Sequence, residues 1–326
     1  MTRHNHPSPA EPPVPRRAVI VAGMALLTTA AVGGGLELVL DDAPAEDATV
    51  TSTADSMTPS PSASSASSAP PATTLSATPS AAPRSTADFS RVAAGYLRTR
   101  PGQAAVAGVN LATGAVVGHR DTSRFTSASI VKVGILISLL LLDEDDELPE
   151  AALRTQARQM ITISDNTAAD ALWDRIGGDR GYTRVMARLG LTDTVAGTGG
   201  YWGATRTPAR DQLRVLRALV REDGPLSARQ RDYVLDLMRT VTPEQRWGVS
   251  AATRRDGFAL KNGWLPSRAD KGRWVINSIG SLTLDTGDPA LLAVLSSGSP
   301  SMAAGITTVE HLAGLAGAAL TGRPIA

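Results

Sequence analysis

The stretch Phe125-Thr126-Ser127-Ala128-Ser129-Ile130-Val131-Lys132-Val133-Gly134-Ile135-Leu136-Ile137 decides how the rest of the chain is read. From Ser129 to Leu142 it is a strongly apolar helix that stops at the acidic run Asp143–Glu147. A helix that is apolar all round belongs in a core. Ser129 and Lys132 are three apart and share one face of it. They sit in its first turn, where unpaired N–H groups and the helix dipole favour negative charge. A Lys in such surroundings either reaches solvent or loses part of its hydration, which lowers its pKa. A Lys of lowered pKa beside a Ser hydroxyl is a nucleophile–base pair. Taken alone, the same spacing also fits a Ser cap beside a snorkelling Lys.

Outward from that helix the pattern changes type. Upstream, Asp88–Arg98 predicts a short helix, and Ala104–Leu111 and Ala115–Arg120 predict two strands joined by the turn Ala112-Thr113-Gly114. Downstream, residues 150–240 alternate apolar helical stretches with Gly- and Pro-marked breaks. Strands are then expected at Gly257–Trp264, Trp274–Leu284 and Ala290–Ser296, and a closing helix around Met302–Leu320. This order predicts an α+β fold. One antiparallel sheet of about five strands would draw strands from both ends of the domain, with terminal helices flanking it and an all-helical lobe inserted.

The first 87 residues read differently. Residues 1–17 are a polar, Pro-rich tail expected to be disordered, ending in Arg16-Arg17. An apolar run from Ala18 to Leu36 follows, so that 18–40 reads as a signal peptide or a membrane anchor. Ala31-Val32-Gly33 and Ala43-Pro44-Ala45 are both candidate cleavage sites. Residues 41–87 are rich in Ser, Thr, Ala and Pro and read as a disordered linker, leaving 88–326 as the folded domain. The expected location is outside the cytoplasmic membrane, released or tethered to its outer face.

Composition removes several chemistries. There is no Cys, which excludes thiol catalysis and thiolate metal sites. The formal net charge is +1, so no global field points to nucleic acid. His4 and His6 lie in the tail, and His119 and His311 are isolated, a poor basis for a Ser-His-Asp triad or a zinc site. No metal or cofactor is expected. Gly248-Val249-Ser250-Ala251-Ala252 only half matches a nucleophile elbow. Lysine is scarce: Lys132, Lys261 and Lys271 stand among 29 Arg. Arg stays protonated where a buried Lys can lose its proton, so each Lys marks a place where Arg would not serve.

Two further segments carry polar groups in the right company. Ile163-Ser164-Asp165-Asn166-Thr167 precedes a helical run. Ser164 is a candidate proton relay and Asn166 a candidate partner for a substrate amide, although the segment also fits a helix cap. Leu260-Lys261-Asn262-Gly263-Trp264 ends a predicted strand. Lys261 would set a cation beside Ser164 and a substrate carboxylate, and Gly263 would allow close approach to the strand.

Together, Ser-x-x-Lys, Ser-Asp-Asn and Lys-x-Gly resemble the motif set of the serine β-lactamase and penicillin-binding protein superfamily, and of the class A β-lactamases within it. The likeness runs from about Asp88 to the C-terminus. It takes in Phe125, Thr167-Ala168-Ala169 and Ile176-Gly177-Gly178. It implies the β-lactamase/transpeptidase-like fold and an acyl-enzyme at Ser129, formed from a β-lactam or a D-alanyl peptide of peptidoglycan. Lys132 would take the Ser129 proton and Ser164 would protonate the leaving nitrogen. Asn166 and Lys261 would hold substrate, and the N–H groups of Ser129 and Trp264 would hold the oxyanion. Arg273 is a further candidate for a substrate carboxylate. A monomer is expected.

The chain departs from class A enzymes in three places. Their loop Glu, which positions the deacylating water, has no counterpart: no Glu lies between Glu150 and Glu222, and the loop Asp193–Thr207 offers only Asp193. Asn262 stands where the third motif has Thr or Ser. The 35 residues from Ser129 to Ser164 are few for the class A arrangement. Three functions therefore remain in view: a β-lactamase-type hydrolase, a penicillin-binding peptidase-like protein that turns over slowly, and a wall-binding domain that has lost catalysis.

Overall fold

The computed structural model describes residues 86–142 and 148–325. The tail, the apolar run, the linker expected at 41–87 as far as residue 85, and the acidic run lie outside the described residues; α1 begins at Thr86, two residues inside that expected linker.

The order of elements is α1 (Thr86–Leu97), β1 (Gln103–Asn110), β2 (Val116–His119), β3 (Arg124–Thr126), α2 (Val131–Leu140), α3 (Ala151–Thr162), α4 (Asn166–Arg175), α5 (Gly178–Arg188), β4 (Arg206–Pro208), α6 (Ala209–Ala218), α7 (Ala228–Arg239), β5 (Phe258–Ser267), β6 (Arg273–Thr283), β7 (Pro289–Ser299) and α8 (Met302–Leu320). Among the described residues, one five-stranded antiparallel sheet runs β2-β1-β7-β6-β5. The first strands of the domain thus pair with its last, and α2 to α7 fill the chain between them. This is the α+β arrangement expected from the sequence.

The sheet is buried on both faces, and the side-chain alternation of each strand sorts its residues into two cores. Ala105, Ala107, Ile279, Leu291, Ala293 and Leu295 join the core of the helical lobe. Ala104, Val106, Leu260, Ile276, Leu292 and Val294 join a second core with α1 and α8. All ten residues of α2 are buried, so it is the axis of the lobe. α8, among the described residues, is long and apolar enough to cross a membrane, and it buries Val309, Leu312, Ala316 and Gly317. A Cβ on Gly317 would lie 2.0 Å from the Ala252 carbonyl oxygen, so only Gly permits that approach.

One local expectation is corrected. The helix read as Ser129–Leu142 is a 3₁₀ turn, Ala128–Ile130, followed by α2 from Val131 to Leu140. The turn enters through Ala128 at φ +48°, a left-handed conformation, and Ser127 N donates to Thr205 O at 2.8 Å. These tertiary contacts override the helical pattern. The segment around Ser250, which only half matched a nucleophile elbow, is a 3₁₀ turn, Val249–Ala252, whose Ser250 Oγ donates to Arg246 O at 2.8 Å.

The short strands β3 and β4, not foreseen in the sequence, pair Phe125 with Thr207 and Thr126 with Arg206. They tie the loop after α5 to the approach to Ser129.

Candidate active site

Alternation on β5 fixes which groups face the lobe. Ala259 faces it, and so do Lys261 and Gly263, while Leu260 and Trp264 point to the α1/α8 core. Gly263 then lies directly against the turn of Ser129. A Cβ there would come within 2.7 Å of Ser129 N, 2.8 Å of Ile130 N and 2.8 Å of Ser127 O. From β6, the fully buried Asn277 pins the same turn, its Nδ2 donating to Thr126 O at 2.8 Å and to Ser127 O at 2.9 Å. Its Oδ1 accepts from Ser296 N at 3.1 Å, so the turn is bolted to the sheet.

Ser129 is half-buried. One helical turn on, Lys132 is fully buried. Its Nζ lies 2.7 Å from Ser164 O, 2.8 Å from Asn166 Oδ1, 3.2 Å from Asp165 O and 3.3 Å from Ser164 Oγ, four partners within reach of at most three N–H groups. Burial pulls its pKa down to about 7, against an opposing pull from Asp165 and Asp170. Lys261 is also fully buried; its Nζ donates to Ser164 Oγ at 3.0 Å and Asn262 O at 2.9 Å. Its pKa is driven well below the usual lysine range by burial first and by Lys132 second. Two amines that resist protonation therefore flank one hydroxyl.

The Ser-Asp-Asn segment does two jobs at once. Asp165 caps α4, accepting from Ala168 N at 2.7 Å. Ser164, at φ +59°, turns its hydroxyl and its carbonyl toward Lys132. The side chain of Asp165 serves the cap while its carbonyl, with Ser164 and Asn166, faces Lys132.

Not every candidate joins the cluster. Arg273 starts β6 opposite Ser267, and its Nη1 donates to Gly298 O at 3.2 Å. It is exposed at the start of β6, four residues before Asn277, which pairs with Gly263. Asn262 faces away from Lys261 and Gly263: its Nδ2 donates to Gln245 O at 2.8 Å and Trp247 O at 3.0 Å. It anchors the segment before β5 and offers no hydroxyl to a substrate. The Trp264 ring sets its edge against Trp247, centroids 6.0 Å apart, so only its backbone is available on the site side. His119 meets Ser90 Oγ at 2.9 Å and His311 stacks on Tyr96 at 3.8 Å, both remote from the cluster.

The loop Asp193–Thr207 forms the remaining wall. Its one carboxylate, Asp193, pairs with Arg210 and Arg124. The Arg210 hydrogen bond, and then the charges of both arginines, hold it below the usual carboxylate range. What the loop brings to the cluster is Trp202, whose ring centroid lies 4.7 Å from Lys132 Nζ. Its indole N–H donates to Asp170 Oδ1 at 2.7 Å. Sequence reasoning did not find Trp202, because nothing local ties it to Lys132. Asn277 carried a readable signal: with Ser278 it is a polar pair set among the apolar residues Val275, Ile276 and Ile279 of one strand.

An all-helical lobe set into a five-stranded antiparallel sheet, with a serine turn packed on an edge strand, defines the fold shared by serine β-lactamases and penicillin-binding proteins. The chain belongs to the beta-lactamase enzyme family, whose profile matches residues 149–320. That match includes Ser164, Asn166, Lys261 and Gly263 and begins after Lys132. Among solved structures, the TLA-1 extended spectrum β-lactamase superposes with a TM-score of 0.63 at 18% identity, covering 73% of this chain and 99% of that one. PBP-A gives 0.61 at 23% identity over 72% and 96% of the two chains. A β-lactamase from Streptosporangium roseum gives 0.59 at 19% identity over 72% and 99%. The "Putative lipoprotein LppW" of Mycobacterium tuberculosis (strain ATCC 25618 / H37Rv) is 28% identical over 201 residues, 56% of this chain and 64% of that protein. The chain thus spans slightly less than two thirds of that relative.

Proposed function

We propose that the domain is a serine acyl-transfer enzyme that forms an acyl-enzyme at Ser129 with a β-lactam or a D-alanyl peptide amide. The observation that carries this reading is the pair of buried lysines about Ser164, with Lys132 held at about pKa 7 one helical turn from Ser129. At neutral pH a large share of Lys132 is a free amine, which is what a general base requires.

In the proposed reaction, Ser129 Oγ attacks the carbonyl carbon as Lys132 takes its proton. The carbonyl oxygen becomes an oxyanion held by the N–H groups of Ser129 and Trp264. The C–N bond then breaks. Ser164 gives its proton to the leaving nitrogen and is reprotonated from Lys132, so the amines return to their starting state. Asn166, whose Oδ1 is engaged by Lys132, keeps its amide N–H groups for the substrate. Lys261, kept from protonation by burial, holds the Ser164 hydroxyl in place beside the leaving group.

A slow-turnover, penicillin-binding reading is favoured over a fast β-lactamase by one observation. The loop's carboxylate, Asp193, is spent on Arg124 and Arg210, which leaves the loop without a base for deacylation. We assign the protein to the outer side of the cytoplasmic membrane as a monomer acting on small or wall-derived amides. A relative named as a lipoprotein supports this placement. Because the chain has no Cys, we assign any tether to the apolar run Ala18–Leu36 and not to a lipidated thiol.

Incubation with a labelled penicillin and a chromogenic cephalosporin tests the reading. A stable label lost in Ser129→Ala supports slow acylation, and rapid colour supports a β-lactamase. No reaction with either compound would leave a wall-binding role for the fold.

A further inference from the structure

Trp202 is placed as no loop-packing residue needs to be. Its ring lies over the amine of Lys132 at 4.7 Å. Two anchors hold it there. Its indole N–H donates to Asp170 Oδ1 at 2.7 Å, and Asp170 sits one turn along α4 from Asn166. The backbone of its own 3₁₀ turn, Trp202–Ala204, leads into Thr205, whose carbonyl accepts from Ser127 N at 2.8 Å. The same turn abuts the nucleophile: a Cβ on Gly203 would lie 3.9 Å from Ala128 Cα. An aromatic face thus covers the base on the side of the loop.

We propose that Trp202, positioned by Asp170, is a stopper that keeps water from Lys132 in the acyl-enzyme and so sets the lifetime of the adduct. The proposal rests on the reading of Ser129 as an acylated nucleophile, and it concerns the second half of that cycle. Deacylation needs a water whose oxygen forms a bond to the ester carbon as a base takes its proton. The ester C–O bond then breaks and the proton passes to Ser129 Oγ, leaving the free hydroxyl and a carboxylic acid that ionises in solvent. Lys132 is the amine in place to be that base. The indole ring acts against it by occupancy: it covers the amine on the side of the loop.

The test separates the two halves of the cycle in the full chain. Penicillin G is added to the parent, Trp202→Ala and Trp202→Phe, and adduct formation and loss are followed by intact-mass spectrometry, with thermal melts confirming that each variant is folded. The expected result for Trp202→Ala is an adduct that forms at a similar rate but decays roughly a hundredfold faster, the usual scale of a positioned general base. Trp202→Phe, which keeps a ring over the amine, should retain a long-lived adduct, and Asp170→Ala should fall between them. Should Trp202→Ala fail to fold, Trp202→Leu carries the same expectation. A folded variant lacking the ring whose adduct lasts as long as the parent's overturns the stopper. Absence of an adduct in every form, the parent included, instead overturns the acylation reading on which the stopper rests.

Discussion

The two walls of the Ser129 cleft are built on opposite principles. The β5–α2 wall is dense with contacts that leave no freedom. Gly263 touches the serine turn, Asn277 clamps it, and Lys261 and Lys132 are sealed around Ser164. The opposite wall, Asp193–Thr207, is a loop whose carboxylate is diverted to arginines and whose one contribution to the cluster is an aromatic ring. On the proposed reading the first wall carries the groups for acylation, and the second holds the ring that would govern how long an acyl group lasts. The two walls can therefore be altered separately.

The largest effect is expected on the first wall. Lys132→Ala should slow adduct formation by roughly a thousandfold, within the range for loss of a general base, as measured by stopped labelling with penicillin. An unchanged rate would move the base elsewhere.

Gly263→Ala comes next. Its methyl would collide with backbone atoms of Ser129, Ile130 and Ser127 that Asn277 holds in place. Overpacking of this kind costs about 1–3 kcal/mol, and the shifted turn should lose most of its acylation. Denaturant melts and labelling together check this.

A smaller effect follows from pH. Because burial lowers Lys132 to about 7, the free amine grows as pH rises, so acylation should increase through pH 7 and level off above it. The same shift has a stability sign. Between about pH 7 and the usual lysine pKa of 10.5, the unfolded chain binds a proton that the folded chain does not. Stability contributed by this group therefore rises with pH across that window. Comparing melting temperatures of the parent and Lys132→Met from pH 7 to 9.5 isolates it: the parent should gain on the variant as pH rises.

The smallest effect sharpens the account of the second wall. Asp193→Asn should leave the adduct lifetime unchanged and the melting temperature little altered, since exposed ion pairs contribute weakly. A longer-lived adduct in this variant would mean that the loop does hold a hydrolytic base.

Much of the first wall was legible in the sequence. Short apolar runs bounded by turn residues marked the strands, and the scarcity of Lys drew attention to two of the residues that meet at Ser164. The closing helix, Met302–Leu320, lies where the pattern put it. Other features depend on tertiary contact. The 3₁₀ turn at Ala128–Ile130 replaces the start of a helix because Gly263, Asn277 and Thr205 hold its backbone. β3 and β4 are three residues each, too short to show alternation. Trp202 meets Lys132 only because the β3–β4 pair folds a distant loop onto the serine turn. Arg273 read as a substrate contact because it begins a neighbouring strand, and the register carries it past the site to Gly298.

The central claim is that Ser129 takes an acyl group and keeps it. Peptide-level mass spectrometry after brief exposure of the parent and Ser129→Ala to penicillin G tests it most directly. The expected result is a penicilloyl adduct on the peptide that contains Ser129 in the parent, persisting after free antibiotic is removed, and none in Ser129→Ala. An adduct of equal yield in Ser129→Ala, or no adduct in the parent, would contradict it.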